Sequence, residues 1–180
     1  PKDVEILNNI GIVYAGQKKH KKAIKYFEFA LDSQKNDIDS LCNLGNSLLE
    51  IENYKLAYNC FRQVVKLDPT DFDATFRLGL TCNNLKMPDR ALIYFNKLLH
   101  RDKNDIDILI NKGYSLHLMG KYVRAILCYK QVLKQDPDEI NAIYYMSKST
   151  ARQNDEKQTC NLISKLLKLQ FLTDPDHDHH

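Results

Sequence analysis

The sequence predicts an all-α protein, a solenoid of five stacked antiparallel helix-turn-helix repeats, and three observations carry that prediction. Gly11, Gly45, Gly79 and Gly113 stand 34 residues apart, and Ser147 continues the series. Ala23, Ala57, Ala91 and Ala125 keep the same spacing, with Thr159 fifth. Phe27, Phe61, Phe95, Tyr129 and Ile163 form a third column in the same phase. A fixed period of this length, without insertions, is the mark of a repeat protein.

Each repeat opens on one tripeptide. Asp3-Val4-Glu5, Asp37-Ile38-Asp39, Asp71-Phe72-Asp73, Asp105-Ile106-Asp107 and Glu139-Ile140-Asn141 are its five versions. The first acid suits a helix N-cap, where a side-chain oxygen accepts from orphan backbone N–H groups. The second, where present, complements the macrodipole. Apolar residues then recur at helical spacing, as in Leu41, Leu44 and Leu48, followed by Ala57, Phe61, Val64 and Val65. Helix pairs are expected at 4–17/21–34, 38–51/55–67, 72–85/88–100, 106–119/122–135 and 140–153/155–169. Pro69 stops the fourth helix, because proline excludes the α conformation at the residue before it. Pro88 falls in a first turn, where proline is tolerated.

A mid-helix glycine costs about 1 kcal/mol relative to alanine, so its recurrence calls for a close helix contact. We expect each glycine to face the alanine of its own hairpin, with the Phe/Tyr column filling the space between hairpins. The repeats span about 4–37, 38–71, 72–105, 106–139 and a degenerate 140–170. They make one domain over 1–170, followed by a polar tail at 171–180 that should be disordered.

Composition narrows the function. A hydrophobic fraction of 43%, a charged fraction of 27% and a net charge of +3 describe a soluble globular chain without a strong pull toward nucleic acid or membrane. No apolar run is long enough for a membrane span, and no secretory leader is seen in these residues. Five cysteines without a C-x-x-C pair argue against a disulfide framework or zinc site, and point to reduced thiols in the cytoplasm. The run Lys18-Lys19-His20-Lys21-Lys22 falls at a turn and reads as solvated. Asp176-His177-Asp178-His179-His180 could bind a metal but reads better as tail. Phosphate loops, nucleophile elbows and zinc-protease motifs are missing, so no enzyme, cofactor or metal site is expected.

The 34-residue period with its Gly, Ala and Phe columns resembles the tetratricopeptide repeat over residues 3–169. Counting from Val4, the large residue at the fourth position is Leu7, Leu41, Thr75, Leu109 and Ile143, and that at the seventh is Ile10, Leu44, Leu78, Lys112 and Met146. The family's late proline occurs only as Pro69 and Pro137. The resemblance implies a right-handed superhelix whose first helices line a concave groove for a protein or peptide ligand.

Carried over by position, the groove would include Asn9, Asn43, Asn46, Phe76, Arg77, Leu80, Asn111, Tyr114, His117, Tyr144, Tyr145 and Lys148. Asparagines carry donor and acceptor together, so Asn9, Asn43 and Asn111 could hold a peptide backbone. Phe76, Leu80, Ile110, Tyr114, Tyr144 and Tyr145 would offer apolar area. The family's carboxylate clamp is absent, since Asp73 and Asp107 occupy positions where it needs lysine. We therefore expect a scaffold for an extended peptide or short helix. The alternative is a self-assembly module using the last helix, which bears Leu162, Ile163, Leu166, Leu167 and Leu169.

Overall fold

The computed structural model describes residues 3–173, with side chains through residue 169. The His-rich run at 176–180 lies outside the described residues. Among the described residues there are ten helices and no strand. They are α1 Val4–Gly16, α2 His20–Ser33, α3 Ile38–Glu50, α4 Tyr54–Leu67, α5 Phe72–Asn84, α6 Pro88–Leu99, α7 Ile106–Leu118, α8 Tyr122–Gln135, α9 Ile140–Arg152 and α10 Glu156–Thr173. Expected boundaries agree within two residues until the last helix, which runs into the segment expected as tail.

Two compact units divide the chain, Pro1–Met87 and Pro88–His180, and the division falls inside the third repeat. In the first unit, α1 packs on α2, α2 on α3, α3 on α4 and α4 on α5, while α1 also touches α3. The second repeats the scheme, with α6 on α7, α7 on α8, α8 on α9, α9 on α10, and α7 touching α9.

The repeated acid is a cap in every repeat. Asp37 accepts from Ser40 N at 2.9 Å, Asp71 from Ala74 N at 2.8 Å, Asp105 from Ile108 N at 2.9 Å and Glu139 from Ala142 N at 2.6 Å. Asp3 caps α1 through Glu5 N at 3.0 Å. Loss of such a cap costs about 1 kcal/mol.

The glycine contact differs from the expectation. A Cβ at Gly11 would lie 2.4 Å from Phe27, one at Gly45 2.7 Å from Phe61, and one at Gly113 2.5 Å from Tyr129. Each of these three glycines thus lies under the aromatic ring of its own hairpin, and that ring, not the alanine, occupies the missing side chain's space. Phe27, Phe61 and Tyr129 are 0% exposed as a result. Full burial of one such side chain stabilises by roughly 1.5–3 kcal/mol. In the fifth repeat Ser147 replaces the glycine, and Ile163 at the ring position is 45% exposed. There Thr159, at the position where earlier repeats carry alanine, shares a hydroxyl hydrogen bond of 2.8 Å with Thr150 across the hairpin.

Two further periodic features emerge. Lys18, Glu52, Lys86, Gly120 and Asn154, again 34 apart, each turn a hairpin with positive φ. Gln63 and Gln131 reach back from the second helix of their hairpins to the loop before it, bonding Lys35 O at 3.1 Å and Lys103 O at 3.0 Å. Lys165 does the same to Pro137 O at 2.6 Å and pairs with Asp138 at 2.9 Å. These bonds tie the second, fourth and fifth hairpins to the loops that precede them.

Candidate binding surface on the first helices

In the first unit, the N-terminal caps aim carboxylates along one face. Asp3, Glu5, Asp37 and Asp39 surround an open cleft of about 740 Å³ between α1 and α3, with Asn8, Asn9, Ile12 and Asn43 on its walls. Asp3 and Asp37 spend an oxygen on capping, whereas Glu5 and Asp39 are exposed first-turn acids. Asn9 is exposed, but Asn43 is half-buried and donates to Asn8 Oδ1 at 3.1 Å. Ser40 Oγ donates to the same oxygen at 3.4 Å. The Asn8–Asn43 pair fixes the amides from two neighbouring first helices.

Farther along the unit, Phe76 and Leu80 are half-buried on α5, and Arg77 is held by Asp73 at 2.7 Å. Asn46 is half-buried, and its Oδ1 accepts no hydrogen bond. The field at this face can be read from Cys42. Burial and then Asp71, Asp73 and Asp39 push its thiol up to about 12, against a smaller opposing effect from Arg77. The face is electronegative.

The second unit has the reverse character. Tyr114 on α7 and Tyr145 on α9 are in ring contact at 5.2 Å, and Tyr144 meets Tyr145 edge-on at 5.2 Å. Tyr129 lies stacked under Tyr145 at 6.3 Å, fully buried, and its hydroxyl has no hydrogen-bond partner. Lys148 Nζ stands 4.3 Å over the exposed Tyr144 ring, a cation–π contact worth about 0.5–1 kcal/mol at an open site. His117 Nδ1 lies 2.9 Å from Ser149 Oγ, which joins α7 to α9. Burial, then Arg152 and Lys148, lower the His117 pKa, so the surroundings of this ring are electropositive. Asn111 donates to Asp107 O of its own helix at 2.8 Å.

The structure thus brings Asn9 and Asn43 onto the first unit's cleft, while Phe76, Arg77 and Leu80 share α5 farther along that unit. Tyr114, His117, Tyr144, Tyr145 and Lys148 gather on α7 and α9 of the second. Asn43 and Asn111 each commit an N–H within the chain. Sequence reasoning missed the pairing of Asn8 with Asn43 and the role of Tyr129 beneath the tyrosine cluster. The only signal for the latter was a Tyr in a Phe column.

Among the described residues, no group of three or more His, Cys, Asp or Glu side chains is placed to hold a metal ion, and no helix is long and apolar enough to cross a membrane. Among the described residues no two cysteines form a disulfide.

Models described as tetratricopeptide repeat match residues 3–70, 42–106 and 106–139. No curated protein matches the chain by sequence. Among solved structures, it is similar to MamA residues 41-end from Desulfovibrio magneticus RS-1, with TM-score 0.88 and 21% identity over 97% of this chain and 98% of that one. A MamA RS-1 double mutant superposes with TM-score 0.87 at 21% identity over 98% and 99% of the two chains. YrrB, described as a TPR protein with an unusual peptide-binding site, gives TM-score 0.77 at 22% identity over 97% of this chain and 88% of its own. Identities this low speak for the fold alone. Repeat period, capped helix pairs and three overlapping family matches agree, and the chain belongs to the tetratricopeptide-repeat family.

Proposed function

We propose that the chain is a protein-binding scaffold whose first helices hold an extended peptide or short helix. The observation that carries this reading is the acidic cleft between α1 and α3, walled by the Asn8–Asn43 pair. Exposed Glu5 and Asp39 suit a basic or neutral peptide segment, and the remaining amide groups of Asn9 and Asn43 suit its backbone. On the second unit, Tyr144 and Tyr114 suit apolar side chains, and Lys148 suits an acidic group. The unbroken period over 3–169 supports one continuous repeat domain, and cysteines that are largely buried and form no disulfide suit a reducing, cytoplasmic setting.

Selection from a displayed random peptide library tests the reading. Enriched peptides should be basic with interspersed apolar residues, and their binding should weaken with salt. Glu5→Lys with Asp39→Lys should abolish that enrichment while circular dichroism stays unchanged. Asn43→Ala with Asn111→Ala should weaken binding. Unchanged peptides from the charge-reversed chain would contradict the proposal. A second reading, self-association through α10, draws on the exposure of Ile163 at 45% and Leu167 at 49%. Loss of association in Ile163→Glu, measured by light scattering, would favour it.

A further inference from the structure

Tyr129 carries the one hydroxyl in the ring column. Phe27, Phe61 and Phe95 hold the equivalent positions in the earlier hairpins, and all four rings are 0% exposed. Packing at this position therefore asks for a ring and not for an oxygen. The Tyr129 ring crosses α7 at Gly113, whose missing Cβ would stand 2.5 Å from Cε1 and 2.7 Å from Cζ, the carbon that bears the hydroxyl. It ends toward the face that the first helices α7 and α9 share. There Tyr145 stacks over it at 6.3 Å, and Tyr114 meets Tyr145 at 5.2 Å. The hydroxyl is buried and has no hydrogen-bond partner among the described residues. Burial, then Cys128, Tyr145 and Tyr114, raise its pKa, so it keeps its proton and is a donor. A buried donor without an acceptor costs stability. Phenylalanine would avoid that cost.

We propose that the Tyr129 hydroxyl is a ligand-binding donor, which bonds to a carboxylate that a peptide presents to the α7–α9 face. This rests on the reading of that face as a peptide surface, and it names the residue that selects the acidic group. The charge around the hydroxyl decides the class of acceptor. Lys148 stands 4.3 Å over the Tyr144 ring, which meets Tyr145 at 5.2 Å. Arg152 follows Lys148 one turn on along α9. Burial, then Arg152 and Lys148, lower the pKa of His117 on α7, which places both cations on this face. Neither cation pairs with a carboxylate among the described residues. A neutral carbonyl would answer the hydroxyl and leave both cations uncompensated. A carboxylate answers all three, and a hydrogen bond to a charged acceptor is about twice as strong as a neutral one. Access runs past Tyr145, which is half-buried and meets Tyr114 and Tyr144 through ring contacts. A change of its side-chain rotamer uncovers the hydroxyl on that face.

Capture of synthetic peptide pools by the immobilised 180-residue chain tests this. Each pool is randomised over leucine, tyrosine, serine and one further residue. That residue is glutamate with both ends capped, glutamine with both ends capped, or glutamine with a free C-terminal carboxylate. No pool carries a base, which keeps them from the acidic cleft of the first unit. The chain should retain a carboxylate pool over the capped glutamine pool, and the preferred pool shows whether a side chain or a terminus supplies the group. Tyr129→Phe should weaken that capture about tenfold and leave the neutral pool unchanged. The same variant should unfold at a higher urea concentration than the parent chain, because it removes a buried donor without a partner. A merely structural hydroxyl would move both readouts together, lowering stability along with binding. Equal capture of carboxylate pools by Tyr129→Phe overturns the proposal and leaves the peptide surface standing. A lower urea midpoint for that variant overturns it as well. No preference for carboxylate in the parent chain removes the proposal together with the reading of this face.

Discussion

Cys42 on the first unit and His117 on the second sit on equivalent first-helix surfaces and feel opposite fields. Three aspartates raise the thiol's pKa beyond what burial does, while Arg152 and Lys148 add to burial in lowering the imidazole's. Beneath both lies one scaffold, a glycine under an aromatic ring with alanine beside it. The backbone solution is thus repeated, and the chemistry is carried by the columns that packing leaves open. Fold and ligand preference are separable in such a chain.

That separation can be broken first at the rings. Phe61→Ala should cost about 3–5 kcal/mol, as for other fully buried aromatics. Ile163→Ala at the equivalent position should cost about 0.5 kcal/mol, the scale of an exposed substitution. Urea denaturation followed by circular dichroism measures both, and similar costs would mean that the fifth hairpin packs like the second. Next come the glycines. Gly45→Ala and Gly113→Ala each force a Cβ into a ring, and each should destabilise by about 1–3 kcal/mol. A neutral result in one unit only would show that the two scaffolds are not equivalent.

The electropositive side is sharpened by pH. The lowered His117 pKa means that the unfolded chain binds the proton more readily, so stability is full above the unfolded value of about 6.5 and declines as pH falls through it. Thermal unfolding at descending pH should show this slope, and His117→Gln should flatten it. An unchanged slope would assign the effect to another group. Smallest of all, Lys148→Gln removes the cation over Tyr144 and should cost at most about 1 kcal/mol of stability. Its effect should fall instead on binding of acidic peptide segments.

The helices, their caps and the ring column were legible because one residue type recurs at one phase. What lay against each glycine was not, since a small residue announces a close approach without naming the neighbour. The turns at Lys18, Glu52 and Lys86 were legible as gaps between helices, but their positive φ was hidden, because these residues are neither glycine nor asparagine. The strain of order 1–3 kcal/mol at each is maintained by the packing on either side. Gln63 and Gln131 look like surface residues in sequence, and only the fold brings a preceding loop carbonyl to them. On the candidate surface, position within the repeat placed Asn9, Asn43, Tyr114 and Lys148 on first helices. Position could not reveal that Asn43 pairs with Asn8, Arg77 with Asp73, or Lys148 with the Tyr144 ring. Those depend on rotamers chosen between helices 34 residues apart or one turn apart.

Titration of the isotope-labelled chain with a library-selected basic peptide, followed by amide chemical shifts, bears most directly on the central claim. We predict shifts concentrated at Glu5, Asn9, Asp39 and Asn43 for the basic segment, and at Tyr144 and Lys148 where the peptide carries acidic residues. Shifts confined to the exposed apolar residues Ile93, Val123 and Leu127 of the second helices, with the first helices silent, would contradict it.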